Sequence, residues 1–295
     1  MPDQLLKGKT CLITGGGGGL GKAIASQFLE AGANVVICDI NDERLQQTST
    51  ELSPKGPLKA IKTDITNTSE VEALFETLIG AFGKIDVLVN NAGIMDHFDP
   101  IGDLDMELWD RVMALNLTAP ALLSKFAIRN MLLQENVDGR IINIVSVAGK
   151  AGWASGAAYT TSKHGLVGLT KNTAAFYGTK GIKCNALMMG GMNTNIVDAF
   201  KTGMHMEGYQ KMASILESIQ APHVDVDEVA GFCVNMTYGK GAGQINGATI
   251  AIDNGWTSVV GQEGYMYMDG FLYSDASIFP QYTCIYCKSS DKRRI

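Results

Sequence analysis

The stretch "TCLITGGGGGLGKAIA", residues 10–25, decides how the rest of the chain is read. It opens with the short apolar run TCLIT (10–14) and closes on a helical segment that continues through Lys22–Ala31. Between them stand five consecutive glycines. Glycine loses more backbone freedom on folding than any other residue, so such a run needs a reason. A helix N-terminus offers unpaired N–H groups and partial positive charge, and small residues there let the backbone approach a phosphate closely. Strand, glycine run and helix in that order point to a dinucleotide site.

Outward from this stretch, two textures alternate as far as residue 256. Short β-rich runs are NVVICD (34–39), LKAIKT (58–63), DVLVN (86–90), RIINIVS (140–146), IKCNAL (182–187) and ATIAID (248–253). Longer segments with helical spacing separate them, the clearest being 67–82. There Asn67 serves as cap and Glu70 follows three residues later, as in a capping box. Val71, Leu74, Phe75, Leu78, Ile79 and Phe82 then recur at helical spacing until Gly83 stops the helix. Alternation of this kind implies a parallel sheet covered on both faces. Seven strands and about six helices make one doubly wound α/β domain over 1–257. Residues 189–222, rich in Met and Gly with patchy periodicity, read as a mobile insertion before the last helix and strand. Residues 258–295 read as an extension too aromatic for an ordinary disordered tail.

Of the 295 residues, 46% are hydrophobic and 18% charged, a profile suited to a globular core. The net charge of −6 argues against nucleic acid or an anionic membrane as the main partner. No secretory signal opens the chain, and no apolar run reaches the length of a membrane helix. Cys11, Cys38 and Cys184 lie in apolar runs and read as buried thiols in a reducing, cytoplasmic setting. Cys284 and Cys287 form a CxxC, but a zinc site needs four ligands and no second pair stands nearby, so no metal is expected.

Thr14-Gly15-Gly16-Gly17-Gly18-Gly19-Leu20-Gly21 fits TGxxxGxG, and with it the chain resembles the short-chain dehydrogenase/reductase family. The resemblance implies a Rossmann fold and a nicotinamide cofactor held at Gly15, Gly18, Gly19, Leu20 and Gly21. Gly15 is assigned to the tight turn, Gly19 to close approach to the pyrophosphate and Gly21 to helix–sheet packing. Gly16, Gly17 and Gly18 are surplus to that pattern, and their use is what they lack: NADP-preferring members often carry Arg or Lys there. Asp39, which ends the second strand, can accept hydrogen bonds from both hydroxyls of the adenosine ribose and repels a 2′-phosphate. Ile40 beside it brings no compensating charge. NAD(H) is therefore expected over NADP(H). Asp64 and Ile65 match the family's adenine-contacting pair, and Asn90-Asn91-Ala92-Gly93 its NNAG motif under the cofactor.

"YTTSK" (159–163) puts Tyr159 and Lys163 one turn apart on a helix. A free phenol titrates near 10, and a fixed ammonium beside it lowers that value, making Tyr159 an acid in ketone reduction and a base in alcohol oxidation. Ser146 matches the family's catalytic serine, which holds the substrate oxygen. Asn116 matches the asparagine that supports a proton relay behind Lys163. The match frays after the sixth strand, where the family's PG-x-V/I-x-T appears as "MGGMNT" (189–194). Gly190 and Thr194 align, Met192 replaces a branched residue, and Met189 replaces a proline, leaving the loop less constrained. The methionines here either line an adaptable apolar pocket or fill the core. At 253–255, DNG replaces the family's DGG.

The implied activity is an NAD-dependent oxidoreductase moving a hydride between nicotinamide C4 and a secondary alcohol or ketone. Ala148, Trp153 and Met189 are the candidate substrate contacts and suggest an apolar, cyclic or aromatic small molecule. The resemblance also implies a homo-oligomer, tetramer or dimer. Two other classes share the fold: a dinucleotide-binding sensor or scaffold without turnover, and an epimerase or dehydratase. The complete tetrad argues against the first and the short chain against the second. The extension could fold over the cleft, bind a neighbouring subunit or be an artefact of gene prediction.

Overall fold

The central strands of the sheet carry apolar residues pointing alternately to its two faces, because both faces are covered. A computed structural model describes residues 4–194, 196, 200, 203–220 and 222–258. The strands are β1 (Thr10–Thr14), β2 (Asn34–Asp39), β3 (Leu58–Lys62), β4 (Val87–Asn90), β5 (Gly139–Ser146), β6 (Ile182–Met189) and β7 (Thr249–Ile252). They form one parallel sheet in the order β3-β2-β1-β4-β5-β6-β7. The helices are α1 (Gly19–Glu30), α2 (Asp42–Leu52), α3 (Thr68–Phe82), α4 (Met106–Met113), α5 (Ala119–Met131), α6 (Ala157–Tyr177), α7 (Met206–Ile219) and α8 (Val226–Tyr238).

Period-two alternation sorts the strand residues into two cores. Ile13, Val35, Ile37 and Leu187 pack with Leu20, Ile24 and Phe28 of α1 and with Val229 and Cys233 of α8. Leu12, Val36, Cys38 and Leu88 point the other way, onto Leu74 and Leu78 of α3 and Leu123 and Ala127 of α5. Each such side chain contributes about 1.5–3 kcal/mol when fully buried, so these two layers fix the frame that carries the site.

Strand order reverses between β1 and β4, and in open α/β sheets the ligand crevice lies at such a point, outside the carboxyl ends of the strands. Thr14, Gly15 and the Asn90–Gly93 segment all leave the sheet at that point.

Two expectations need correction. The chain has eight α-helices among the described residues rather than about six. The 106–131 stretch is divided by a π-helical turn at Ala114–Thr118, and the presumed insertion contains α7. Strand β6 also runs two residues past its expected end, through Met188 and Met189, pairing with both Ser146 and Ile252 at Met189. The 259–295 part of the proposed extension, with Cys284 and Cys287, lies outside the described residues.

Candidate active site

Thr14 ties the two halves of the crevice together. Its hydroxyl accepts the backbone N–H groups of Asn91 and Ala92, each at 3.0 Å. The Asn91 side-chain amide returns the contact, donating to the Thr14 carbonyl at 2.8 Å. Gly15 takes a positive φ of 66° to make the turn, and Gly19 one of 50° at the start of α1. A side chain at Gly21 would collide with the Gly15 carbonyl and the Asn91 amide. No side chain caps α1 at Gly18, which is in extended conformation. The first-turn N–H groups of Gly19, Leu20 and Gly21 are therefore left without a side-chain acceptor, as a pyrophosphate ligand needs.

Gly16 is not surplus. A Cβ there would lie 2.5 Å from Ile37 Cβ, so the glycine lets the loop lie flat on β2. Gly17 donates its N–H to Asp39 Oδ2 at 3.0 Å, and Asn41 donates to Oδ1 at 2.9 Å. Both carboxylate oxygens are thus fixed by backbone and each keeps acceptor capacity. Ile40 is exposed beside them. Asp64 is held by Thr66, whose N–H and hydroxyl both donate to its Oδ1, and Ile65 is buried next to it.

Across the switch point, α6 brings Tyr159 and Lys163 to the ends of β4 and β5. The Lys163 ammonium lies 5.4 Å from the Tyr159 ring centroid and donates to the Ile144 carbonyl at 3.1 Å. A Cβ at Gly93 would lie 3.2 Å from Asn116 Oδ1 and 3.6 Å from Lys163 Nζ, so this glycine lies directly against both side chains. Asn116 sits in the π-helical turn, a feature frequent at functional sites. Its Oδ1 accepts from Ile94 N–H at 2.9 Å, and its amide donates to the Ile94 carbonyl and to Ser162 Oγ. Ser146 ends β5 and accepts from the Ala148 N–H at 3.2 Å. Ala148 and Tyr159 share a small apolar cluster with Leu108, Val112 and Ala158.

Burial shapes the charges. It pulls Lys163 down to about 8. It raises the Tyr159 phenol above its ordinary value, the Ser146 hydroxyl works against that rise, and the Asp96 carboxylate adds to it. The net shift in the protein alone is therefore upward, against the expected lowering: desolvation wins. Among the described residues no group of three or more His, Cys, Asp or Glu is placed to hold a metal.

A family model for short chain dehydrogenase matches residues 9–204. The chain is a short-chain dehydrogenase/reductase. A relative from Gibberella zeae, short chain dehydrogenase/reductase dpfgG, is 59% identical over 260 residues, spanning 87% of this chain and 96% of that one. A 3beta-hydroxysteroid dehydrogenase 2 from Eggerthella lenta is 38% identical over 258 residues, with 87% and 97% covered. The crystal structure of levodione reductase superposes with a TM-score of 0.77 at 28% identity, covering 86% of this chain and all of that one. Members of this family are oxidoreductases that use nicotinamide cofactors, and among the described residues no helix is long and apolar enough to cross a membrane.

In this short-chain dehydrogenase/reductase the frayed loop is held by hydrogen bonds to β7 and to the segment before α8. Gly190 donates to the Ile252 carbonyl at 2.9 Å, and a Cβ there would lie 2.9 Å from Asp253 Cα. Asn254 takes a left-handed φ of 50° in the DNG turn and donates to the Pro222 and His223 carbonyls. Met189 is buried in the core against α1 and α8, with Met192 packed on the same cluster. Trp153 and Thr194 are half-buried. Sequence reasoning missed Asp96 altogether, a fully buried carboxylate against the start of α6.

Proposed function

We propose that the protein is an NAD-dependent oxidoreductase that interconverts a secondary alcohol and the corresponding ketone on an apolar, ring-containing small molecule. The observation that carries this reading is the convergence of Tyr159, Lys163 and Ser146 at the carboxyl ends of β4 and β5, against Gly93. Asp39, fixed by two backbone N–H groups with acceptor capacity to spare, supports NAD over NADP. The apolar cluster around Ala148 and Tyr159, and the hydroxysteroid named for one relative, support the substrate class.

Bound nicotinamide supplies or accepts the hydride. Ser146 orients the substrate oxygen toward the Tyr159 hydroxyl. Tyr159 gives its proton to that oxygen in reduction and takes the hydroxyl proton in oxidation. Lys163 contacts the nicotinamide ribose, and its cation stabilises the phenolate that this exchange creates. Its own depressed value near 8 lets it pass a proton on at neutral pH. Asn116 supports that relay through the second acceptor position of its Oδ1. Gly190, Met192 and Thr194 border the nicotinamide side, and Asp64 with Ile65 the adenine.

The same reading includes a homo-oligomer, dimer or tetramer, which sedimentation velocity over a range of concentrations checks, and a cytoplasmic setting. The direct experiment is turnover of NADH and NADPH, side by side, against cyclic, aromatic and aliphatic ketones, with the matching alcohols and NAD+ in reverse. Turnover with NADH, strongest on a cyclic ketone, is the expected result. Binding of NADH without turnover on any ketone or alcohol speaks for a binding-only protein.

A further inference from the structure

The helix that carries Tyr159 and Lys163 begins at Gly156, which has no side chain with which to cap it. The cap comes from elsewhere in the chain. Asp96, three residues past the NNAG glycine, is 0% exposed. Its Oδ1 accepts from Gly156 N–H at 3.0 Å, from Ser155 Oγ at 2.9 Å and from Phe98 N–H at 3.2 Å. Its Oδ2 accepts from the backbone N–H of Tyr159 itself at 2.8 Å. A buried carboxylate is tolerated when hydrogen bonds satisfy it, and the N-terminus of α6 adds a favourable dipole.

The geometry is held from the other side as well. Phe98, two residues on, is buried with a φ of 67°, a conformation that a bulky residue adopts only when its surroundings impose it. Its ring stacks on Phe200 at 5.3 Å and meets Tyr209 of α7 edge-on at 5.5 Å. The His97 carbonyl accepts from His205 N–H at 2.7 Å, at the start of α7. A Cβ on Gly156 would lie 2.6 Å from Asp96 Oδ2 and 2.6 Å from the Asp99 nitrogen, so that position admits only glycine.

We propose that Asp96 is the positioning residue of the acid–base tyrosine: its carboxylate caps the catalytic helix from 63 residues upstream and fixes the backbone of Tyr159 between the β4 loop and α7. The inference rests on the acid–base reading of Tyr159. Among the described residues, the groups facing Tyr159 are Lys163 from its own helix, Ser146 from the end of β5 and Asp96 from the loop after β4; α4 adds Leu108, Trp109 and Val112 to the cluster around it, none of them titratable.

The test is Asp96→Asn, which preserves size but sets an amide N–H against the Tyr159 N–H and removes the charge. NADH affinity is expected to stay within twofold of wild type, while kcat for alcohol oxidation falls about 10- to 100-fold, the scale of a small misplacement of a catalytic group. The acidic limb of the kcat–pH profile shifts to lower pH, because the anion that raises the phenol is gone. A kcat within twofold of wild type overturns the proposal. So does a loss of kcat with the limb unmoved, which marks a merely structural role. Should Asp96→Asn not fold, Ser155→Ala removes one of the hydrogen bonds that seat the carboxylate, with every charge retained; kcat should fall with NADH affinity unchanged, and an unchanged kcat overturns the proposal. Tyr159→Phe runs in parallel: retained turnover there overturns the acid–base reading, whereas loss there with a normal Asp96→Asn overturns the positioning role alone.

Discussion

At the scale of single residues, the glycine run has two kinds of member. Gly15 and Gly19 supply positive φ, and Gly21 supplies absence of volume. Gly16 belongs with Gly21, because its neighbour Ile37 is a buried strand residue that cannot move aside. Gly16→Ala should therefore destabilise the fold by about 1–3 kcal/mol, the usual cost of forcing a methyl into a packed region. Urea unfolding checks this, and an unchanged midpoint would count against the packing argument. Asp39 acts by charge rather than volume. Asp39→Ala should raise the kcat/KM ratio of NADPH to NADH by about tenfold or more, since each 1.4 kcal/mol of relieved repulsion is a factor of ten. A ratio that stays put would mean that the discriminating group lies elsewhere.

At the scale of elements, what the sequence made legible was local. Asn67 caps α3 as its spacing suggested, accepting from the N–H groups of Ser69 and Glu70, and Gly83 ends the helix in the left-handed conformation. Asn67→Ala should cost about 1 kcal/mol of stability in thermal or urea unfolding; a loss near zero would show that tertiary packing alone holds the helix. The return arm of the capping box was not legible: Glu70 accepts from the Asp64 N–H at 2.7 Å, not from the backbone of Asn67. That choice depends on where the β3 loop folds back. The same limit hid the other departures. The π-helical turn at Asn116 follows from bonds to Ile94, 22 residues away. Helix α7 was masked by its Met and Gly content, which blurs periodicity, although His205 caps it through Gly208 N–H. The Asp96 cap leaves no local trace, because donor and acceptor stand some sixty residues apart. Motif and periodicity reach the fold and single out Asn116, Ser146, Tyr159 and Lys163 as candidates; they do not reach contacts made by loop closure.

At the scale of the whole molecule, burial sets the response to pH. Cys11, Cys38, Cys184 and Cys233 are free and buried. Desolvation raises all four thiols above the ordinary value of 9.0, Cys184 and Cys233 to about 12. A thiol with a raised folded-state value stays protonated in the native protein and ionises on unfolding. Its stabilisation is full below pH 9 and is lost as pH climbs toward the folded value. Each contributes up to about 1.4 kcal/mol per pH unit. Lys163 works in the opposite sense: held near 8 against 10.5 unfolded, its burial costs stability below pH 8, and that cost fades as pH rises to 10.5. One amine against four thiols leaves a net decline. Unfolding free energy should be lower at pH 10 than at pH 8, by urea denaturation at both; equal or greater stability at pH 10 would contradict this balance.

The most direct measurement is made on Tyr159→Phe beside the wild type: NADH affinity by fluorescence, and turnover with the best ketone and its alcohol. The substitution removes one hydroxyl from a packed ring and leaves Lys163, Ser146 and the nucleotide cleft in place. NADH should bind with nearly unchanged affinity, and turnover should fall by about 10²–10⁴, the contribution of a positioned acid–base group. Turnover within tenfold of wild type would contradict the assignment of Tyr159 as the group that moves the proton.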